Sequence, residues 1–221
     1  MIEDRKRKAV LLLGPTGAGK TPLGDLFEER GLPLPGYRER SCLHFDFGAN
    51  LRRLVERDVP EGGITRDDLD FLRRVLEDGV LLEDEHFPLA RRIFEAFLAR
   101  RRTEATGNDA DESLIILNGL PRHVGQAEAV DAIVEVVAVI FLRCDESSVA
   151  ARIVDNVGGD RLGRTDDDLA AVRRKLHIYN ERTAPLVSHY NAIGTVIVTL
   201  DVDPQTSPKD VWERLASVEG E

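Results

Sequence analysis

The chain has 221 residues and a formal net charge of −10 at neutral pH, and this length suffices for one large domain with a sizeable core. The acidic balance argues against a broad nucleic-acid interface, because a protein that binds a duplex needs a basic face. No apolar run approaches the roughly 20 residues of a membrane span and the polar N-terminus lacks a signal-peptide core, so we expect a cytoplasmic protein without nucleic-acid or membrane partners.

The chain opens with a basic cluster and a predicted strand. Arg5-Lys6-Arg7-Lys8 lies directly before the apolar run Ala9 to Leu13 and is interpreted as a solvated flank, with a nucleic-acid or targeting role as the alternative. The strand leads into Gly14-Pro15-Thr16-Gly17-Ala18-Gly19-Lys20-Thr21, which fits G-x-x-x-x-G-K-[ST], and helix-compatible sequence follows from Leu23 to Arg30. A strand, this motif and a helix in succession are the context in which the motif binds phosphates.

The backbone of this motif can hold the phosphates of a nucleotide. Its glycines let successive N–H groups converge on phosphate oxygens, and the N-terminus of the following helix adds its positive dipole end. We predict that residues 14–21 bind a nucleoside triphosphate, with Lys20 reaching the outer phosphates and the Thr21 hydroxyl offered to Mg²⁺. A glycine turn without a ligand is the alternative, but it requires neither Lys20 nor Thr21.

Four further strands and several helices are predicted along the chain. The near-continuous apolarity of the strand runs predicts a parallel sheet whose strands are buried on both faces. Thr65-Arg66-Asp67-Asp68 resembles a capping box that opens a helix ending at Gly79, and Ser207-Pro208 opens the last helix. The strand runs are Cys42 to Phe45, Leu114 to Leu117, Val136 to Leu142 and Val196 to Leu200.

Two segments interrupt the alternation of strands and helices. The mostly helical stretch from Gly48 to Arg102 is too long for a simple crossover between two strands, so it can hold an inserted lobe. The polar, glycine-rich stretch from Asp155 to Arg164 has the composition of a mobile flap.

Four segments beyond the phosphate motif resemble the nucleoside monophosphate kinases, and specifically the short-lid adenylate kinases. Residues 44–52, His-Phe-Asp-Phe-Gly-Ala-Asn-Leu-Arg, are similar to the family segment that opens the monophosphate-binding lobe, and residues 79–85 to the one that closes it. Asn118-Gly119-Leu120-Pro121-Arg122 with Gln126 resembles the motif after the third strand. Residues 163–186, which include Arg164, Lys175 and Thr183-Ala184-Pro185-Leu186, resemble the lid exit and the helix after it.

The resemblance implies a role for each matching residue. On the donor side, residues 14–21 would bind ATP with Arg152 against its base, and Arg164 would act on the transferring phosphoryl group. On the acceptor side, Arg52 and Arg122 would hold the phosphate, because a guanidinium binds phosphate through two parallel hydrogen bonds. The acceptor base would be bound by Gln126 and by the segments at Phe47, Val80, Leu82 and Gly119.

Several positions depart from the family pattern. Asn118 stands where the family has an aspartate near the magnesium ion, so we predict Thr21 as the protein ligand of Mg²⁺, with Asn118 acting through water. Phe47 and Ala49 replace a hydroxyl residue and an aspartate at the entrance of the acceptor lobe. Lys175 keeps the charge of a family arginine without its fork, and Asn156 keeps neither. We predict that Arg161 in the flap replaces the missing arginine, a solvated loop residue being the alternative, which gives the catalytic set Lys20, Arg122, Arg164, Arg161 and Lys175.

These observations and the resemblance together imply an α/β P-loop kinase fold over residues 1–221, with a five-stranded parallel sheet flanked by helices, a monophosphate-binding lobe at 47–82 and a short lid at 155–163. The resemblance implies a monomer that uses Mg²⁺ and transfers the γ-phosphoryl group of ATP to a nucleoside monophosphate, AMP above all. Two alternatives are a kinase for another (deoxy)nucleoside monophosphate, and a nucleotide-binding regulatory protein with weak catalysis.

Overall fold

Five parallel strands form one sheet at the centre of the protein. In a computed structural model, which describes residues 6–104, 112–156, 159 and 169–218, the strand order is β2-β3-β1-β4-β5. All five predicted strands and their parallel arrangement are confirmed, and each predicted end lies within two residues of the observed end. The strands are β1 (Arg7–Leu13), β2 (Cys42–Asp46), β3 (Leu114–Asn118), β4 (Val134–Arg143) and β5 (Val196–Asp201).

Helices connect the strands and cover the sheet, as an α/β P-loop kinase fold requires. A 3-10 turn at Asp84–His86 precedes α4, and a π-helical turn at Tyr179–Thr183 joins α7 to α8. The stretch between β2 and β3 is mostly helical, as predicted. The helices are α1 (Lys20–Arg30), α2 (Phe47–Arg57), α3 (Arg66–Asp78), α4 (Phe87–Glu104), α5 (Val124–Asp131), α6 (Glu146–Asp155), α7 (Leu169–Ile178), α8 (Pro185–Ala192) and α9 (Pro208–Ala216).

The capping signals read from the sequence mark helix ends in the structure. The Asp68 backbone N–H donates to Thr65 Oγ1 at 3.2 Å, and the Thr65 backbone N–H donates to the Asp68 carboxylate at 2.8 Å, so the predicted capping box begins α3. Gly79 ends that helix with φ 64°, a left-handed conformation that favours glycine. Ser207 caps α9 in the same way, with Pro208 in its first turn.

Alternate residues of the strands supply two apolar cores, one on each face of the sheet. Val10 and Leu12 of β1 pack with α1 and α9, whereas Leu11 and Leu13 face the side of α2, α3, α4, α5 and α8. Helices α2 and α3, which make up most of the predicted monophosphate-binding lobe, therefore share their core with the main sheet. The boundaries of that lobe stay a prediction.

The edge strand β5 differs from the prediction that strands are buried on both faces. None of its residues is fully buried, and Val196 is 60% exposed. Its apolar run was correctly predicted as a strand, but its position at the edge leaves it with one neighbour, β4, on which to pair. Within the described ranges, no helix is both long and apolar enough to cross a bilayer.

The carboxyl ends of β1, β2 and β3 meet at one edge of the sheet. Asp46 ends β2 directly opposite Asn118, which ends β3, and Leu12 of β1 pairs with Asn118 on its other side. Because ligands of open α/β sheets bind at the carboxyl ends of the strands, this edge is where a site is expected. A cleft opens there, lined by the phosphate motif on one side and by α2, α3 and the segment after β3 on the other.

Candidate active site

The glycine-rich loop has a backbone that other residues could not follow. Gly14 has φ 150°, and a Cβ atom added to it would lie only 2.8 Å from the carbonyl oxygen of Leu142 on β4. Gly19 has φ 95° and stands immediately before α1. The glycines thus place the N-terminus of α1 at the cleft, where its dipole favours a bound anion.

Lys20 is the first residue of α1 and lines the cleft. Its ammonium donates hydrogen bonds of 2.7 Å to the carbonyl oxygens of Gly14 and Pro15. The ammonium is therefore held directly over the loop that would hold phosphates. A phosphate group is negatively charged, so its oxygens are stronger acceptors than carbonyl oxygens. They can therefore replace these carbonyls as the acceptors of the Lys20 ammonium.

Arg152 of α6 is only 3% exposed and hydrogen-bonds to the backbone of the glycine-rich loop. Its guanidinium donates to the carbonyl oxygens of Gly17, Asp203 and Thr206 at 2.7–2.9 Å. These bonds join the phosphate loop to the turn between β5 and α9. The role of Arg152 at the donor base stays a prediction, and the structure adds a role in positioning the loop.

Three side chains meet where β2, β3 and α1 converge. The hydroxyl of Thr21 donates to Oδ2 of Asp46 at 2.6 Å, and Nδ2 of Asn118 lies 2.9 Å from that oxygen and 3.1 Å from Thr21 Oγ1. Oδ1 of Asp46 accepts the backbone N–H of Ala49 at 2.8 Å and so caps α2. Oxygen donors of this kind fit Mg²⁺, a hard cation that prefers hydroxyl, carboxylate and water ligands.

Two arginines line the opposite side of the cleft, Arg52 of α2 and Arg122 after β3. Neither guanidinium hydrogen-bonds or ion-pairs with a residue in the described part of the chain, whereas Arg182 nearby is held by both oxygens of Glu83. Burial lowers the pKa of Arg122, and the charge of Asp46 acts against that shift. Because their N–H donors have no partner among the described residues, both guanidinium groups suit a phosphate.

The segment that closes the predicted lobe is held by the turn after β3. The Leu82 carbonyl accepts from Nε2 of Gln126 at 2.7 Å and lies 3.2 Å from Nε2 of His123. Oε1 of Gln126 accepts the backbone N–H of Arg122 at 2.9 Å. Gln126 is 1% exposed, does not line the cleft and joins Arg122 to Leu82. Its predicted contact with an acceptor base stays a prediction, which requires this side chain to turn.

The other predicted acceptor residues line the cleft. Phe47, Gly119, Val80 and Leu82 all contribute to its wall. Phe47 and Leu82 are buried, whereas Val80 is 50% exposed. The wall around them is therefore mainly apolar, a surface suited to the face of a nucleobase.

The remaining predicted residues come from the C-terminal third. Lys175 of α7 lines the cleft. Arg161 and Arg164 lie outside the described residues, as does most of the predicted lid at 155–163, so their roles stay predictions. Of the lid, the described part includes Asp155, which ends α6.

Sequence reasoning missed several residues of the cleft. Asp46 is the most important: it lies directly after the predicted strand Cys42 to Phe45 and within the segment 44–52 that resembles the family, but no role was predicted for it. Tyr179 also lines the cleft, and among the described residues its buried hydroxyl has no hydrogen-bond partner. Burial raises the pKa of that hydroxyl to about 12.

Comparison with known proteins agrees with the family resemblance seen in the sequence. No protein-family model matches the chain. An adenylate kinase of Thermus thermophilus is 31% identical over 219 residues, which cover 96% of this chain and 97% of that relative. The chain belongs to the adenylate kinase family. Adenylate kinase of Botryotinia fuckeliana is 26% identical and is matched over 95% of this chain and 76% of its own length.

One further relative of this adenylate kinase family member and one solved structure that resembles it are also kinases. UMP-CMP kinase of Lentinula edodes is 26% identical, over 97% of this chain and 86% of its own length. A sugar kinase from Janibacter sp. HTCC2649 superimposes with a TM-score of 0.51 at 15% identity, over 95% of this chain and 91% of that chain, which supports the kinase fold alone. The predicted family and enzyme class, a nucleoside monophosphate kinase, are confirmed.

Proposed function

We propose that the protein catalyses the reversible reaction ATP + AMP = 2 ADP with Mg²⁺. The observation that carries this proposal is the charge pattern of the cleft. Lys20 and the N-terminus of α1 lie on one side, and the guanidinium groups of Arg52 and Arg122, which have no partner among the described residues, lie on the other. Such a cleft neutralises two polyanions that approach from opposite directions. Phosphoryl transfer needs this neutralisation and the alignment of the reacting oxygens more than any covalent chemistry.

The residues divide the work between donor and acceptor. The loop at 14–19 holds the β- and γ-phosphates of ATP, and Lys20 leaves the carbonyls of Gly14 and Pro15 to bind them. Arg52 and Arg122 orient the acceptor phosphate towards the γ-phosphoryl group. When bound with ATP, Mg²⁺ supplies positive charge that stabilises the charge developing on the phosphate oxygens.

AMP as the acceptor is supported by the adenylate kinases among the relatives and by Gln126, whose amide can present a donor and an acceptor to a purine edge. The second candidate is a kinase for another monophosphate. It is favoured by the UMP-CMP kinase relative. It is also favoured by the hydrogen bonds of the Gln126 amide, whose oxygen and nitrogen both bind backbone groups of the protein itself.

A panel of acceptors tests the proposal. The purified protein is incubated with Mg²⁺-ATP and each common ribo- and deoxynucleoside monophosphate, and the diphosphates are quantified. We expect the highest kcat/KM for AMP. A higher value for CMP, UMP or a deoxynucleotide would support the second candidate, and no diphosphate from any acceptor would leave a nucleotide-binding regulatory protein.

A further inference from the structure

The cleft holds one carboxylate among its described lining residues, and it belongs to Asp46. Four cationic side chains share the same lining: Lys20, Arg52, Arg122 and Lys175. Asp46 is therefore the one described group of the cleft that repels phosphate and attracts a cation. Its position is fixed at two levels, by the pairing of β2 with β3 and by the cap that it provides to α2.

The hydrogen bonds of Asp46 leave room for one more donor. A carboxylate offers about four lone-pair sites. Oδ1 accepts from the Ala49 backbone N–H, and Oδ2 accepts from the Thr21 hydroxyl and from Nδ2 of Asn118. Three sites are thus filled inside the protein, which leaves about one for a donor in the cleft. A water molecule bound to a cation is such a donor, and its polarised O–H prefers a charged acceptor.

The same bonds orient Thr21. Because its hydroxyl proton points at Asp46 over 2.6 Å, the lone pairs of Oγ1 are turned away from the carboxylate. A threonine hydroxyl in this state can act as a ligand oxygen to a cation. Asp46 therefore both attracts the cation and prepares the neighbouring oxygen ligand.

Asn118 is suited to its place because it is neutral and can donate. A carboxylate accepts only, so the amide must turn its NH₂ group towards Asp46. An aspartate at residue 118 would set two acceptor-only carboxylates against each other and would lose the hydrogen bond that Asn118 donates to Asp46. The pairing of these two strand ends therefore suits one carboxylate and one amide, and here β2 carries the carboxylate.

From this geometry we infer that Asp46 supplies the negative charge that faces the nucleotide-bound cation, through a cation-bound water, and that Asn118 is its positioning residue. This inference rests on the proposed function, because it requires that the protein bind Mg²⁺ together with a nucleotide. According to this inference, the negative charge that faces the cation is carried by residue 46 and not by residue 118.

The test measures metal affinity and not turnover alone. Mn²⁺ is titrated into the protein saturated with ADP, free Mn²⁺ is followed by electron paramagnetic resonance, and a protein-free ADP titration is subtracted. Asp46→Asn keeps the shape and the helix cap, since asparagine also caps helices well. We expect this variant to weaken Mn²⁺ affinity by about 10- to 100-fold, with ADP affinity in the presence of a chelator unchanged.

Two further variants control this measurement. Asp145→Asn changes another aspartate that caps a helix, accepting the Ser148 N–H at 2.8 Å at the start of α6 outside the cleft lining, and it should bind Mn²⁺ as the wild type does. The exchange Asp46→Asn with Asn118→Asp returns one charge to the pair, and we expect it to recover Mn²⁺ affinity to within about threefold of wild type.

The outcomes separate a failure of the proposed function from a failure of the inference about Asp46. If the wild type binds no Mn²⁺ with ADP, the proposed function fails and the inference fails with it. If the wild type binds Mn²⁺ but Asp46→Asn binds it equally well, only the inference is overturned. Loss of turnover in Asp46→Asn at unchanged Mn²⁺ affinity would overturn it too, by placing Asp46 on the acceptor. An exchange variant no better than Asp46→Asn would refute the sharing of one charge between residues 46 and 118.

Discussion

Replacing Gly24 by alanine should destabilise the protein, although the same change usually stabilises a helix. Glycine inside a helix costs about 0.5–1 kcal/mol relative to alanine, and Gly24 lies within α1. A Cβ atom on Gly24, however, would lie 2.3 Å from Nε2 of His44 and 2.4 Å from its Cδ2. Carbon contacts are favourable at about 3.5–4.0 Å, so the ring would have to move by about 1 Å.

His44 has little freedom to make that movement. Its side chain is 3% exposed, Nδ1 lies 2.8 Å from the Asp25 carboxylate, and Nε2 faces Asn118 at 3.5 Å. Overpacking of this kind costs about 1–3 kcal/mol, which exceeds the gain from removing a glycine. We expect Gly24→Ala to lower the free energy of unfolding in urea by about 1 kcal/mol or more, and to disturb Asn118 through His44.

Gly125→Ala is the matched control. In α5, the added Cβ would also lie 2.3 Å from its neighbour, here Oδ2 of Asp84, but that side chain is 66% exposed and can rotate away. Its stability should be unchanged or raised by up to about 1 kcal/mol. A Gly24→Ala protein as stable as Gly125→Ala would refute the argument from crowding at His44.

Three further predictions concern the cleft and the buried polar groups. Lys20→Ala should lower kcat by at least about 10²-fold while the thermal midpoint falls by no more than about 4 °C, which a coupled assay and thermal unfolding would check; near wild-type turnover would contradict the kinase mechanism. Burial raises the pKa of the Asp131 carboxyl in the folded protein. The folded state therefore loses stability as the pH rises from the ordinary aspartate pKa through this raised pKa, and it loses none at a pH below the ordinary pKa. Asp131→Asn should therefore raise the thermal midpoint at pH 7 and leave it unchanged near pH 3; an equal shift at both would contradict this reasoning. Tyr179→Phe removes a hydroxyl that has no partner in the described structure, so calorimetry of the nucleotide-free protein should show no loss of stability.

The sequence predicted the features that depend on local chemistry. The apolar runs gave the strands within two residues, and Thr65 with Asp68 gave the start of α3 because a capping box needs only four adjacent residues. The glycine motif gave the loop at the cleft for the same reason. Resemblance to a family gave Arg52 and Arg122, which the structure places together although 70 residues separate them along the chain.

The parts that were not predicted depend on register and on packing. Asn118 was recognised as a departure, but its relation to Asp46 exists only because β2 pairs with β3 so that these two residues are opposite. No periodicity in one strand reveals the register of another. The hydrogen bond from Gln126 to the Leu82 carbonyl was missed for a similar reason, because these two residues are 44 residues apart along the chain.

The central claim is that a phosphate group of a second nucleotide, and not water, receives the phosphoryl group of ATP. Phosphorus NMR of the protein with Mg²⁺-ATP tests this most directly when it is recorded with and without AMP. The account predicts two ADP for each ATP consumed when AMP is present. When AMP is absent, it predicts no more inorganic phosphate than ATP releases without protein, because we expect closure around the bound nucleotides to exclude water from the reacting groups. Release of inorganic phosphate at the same rate with and without AMP, and without net formation of ADP from AMP, would contradict it.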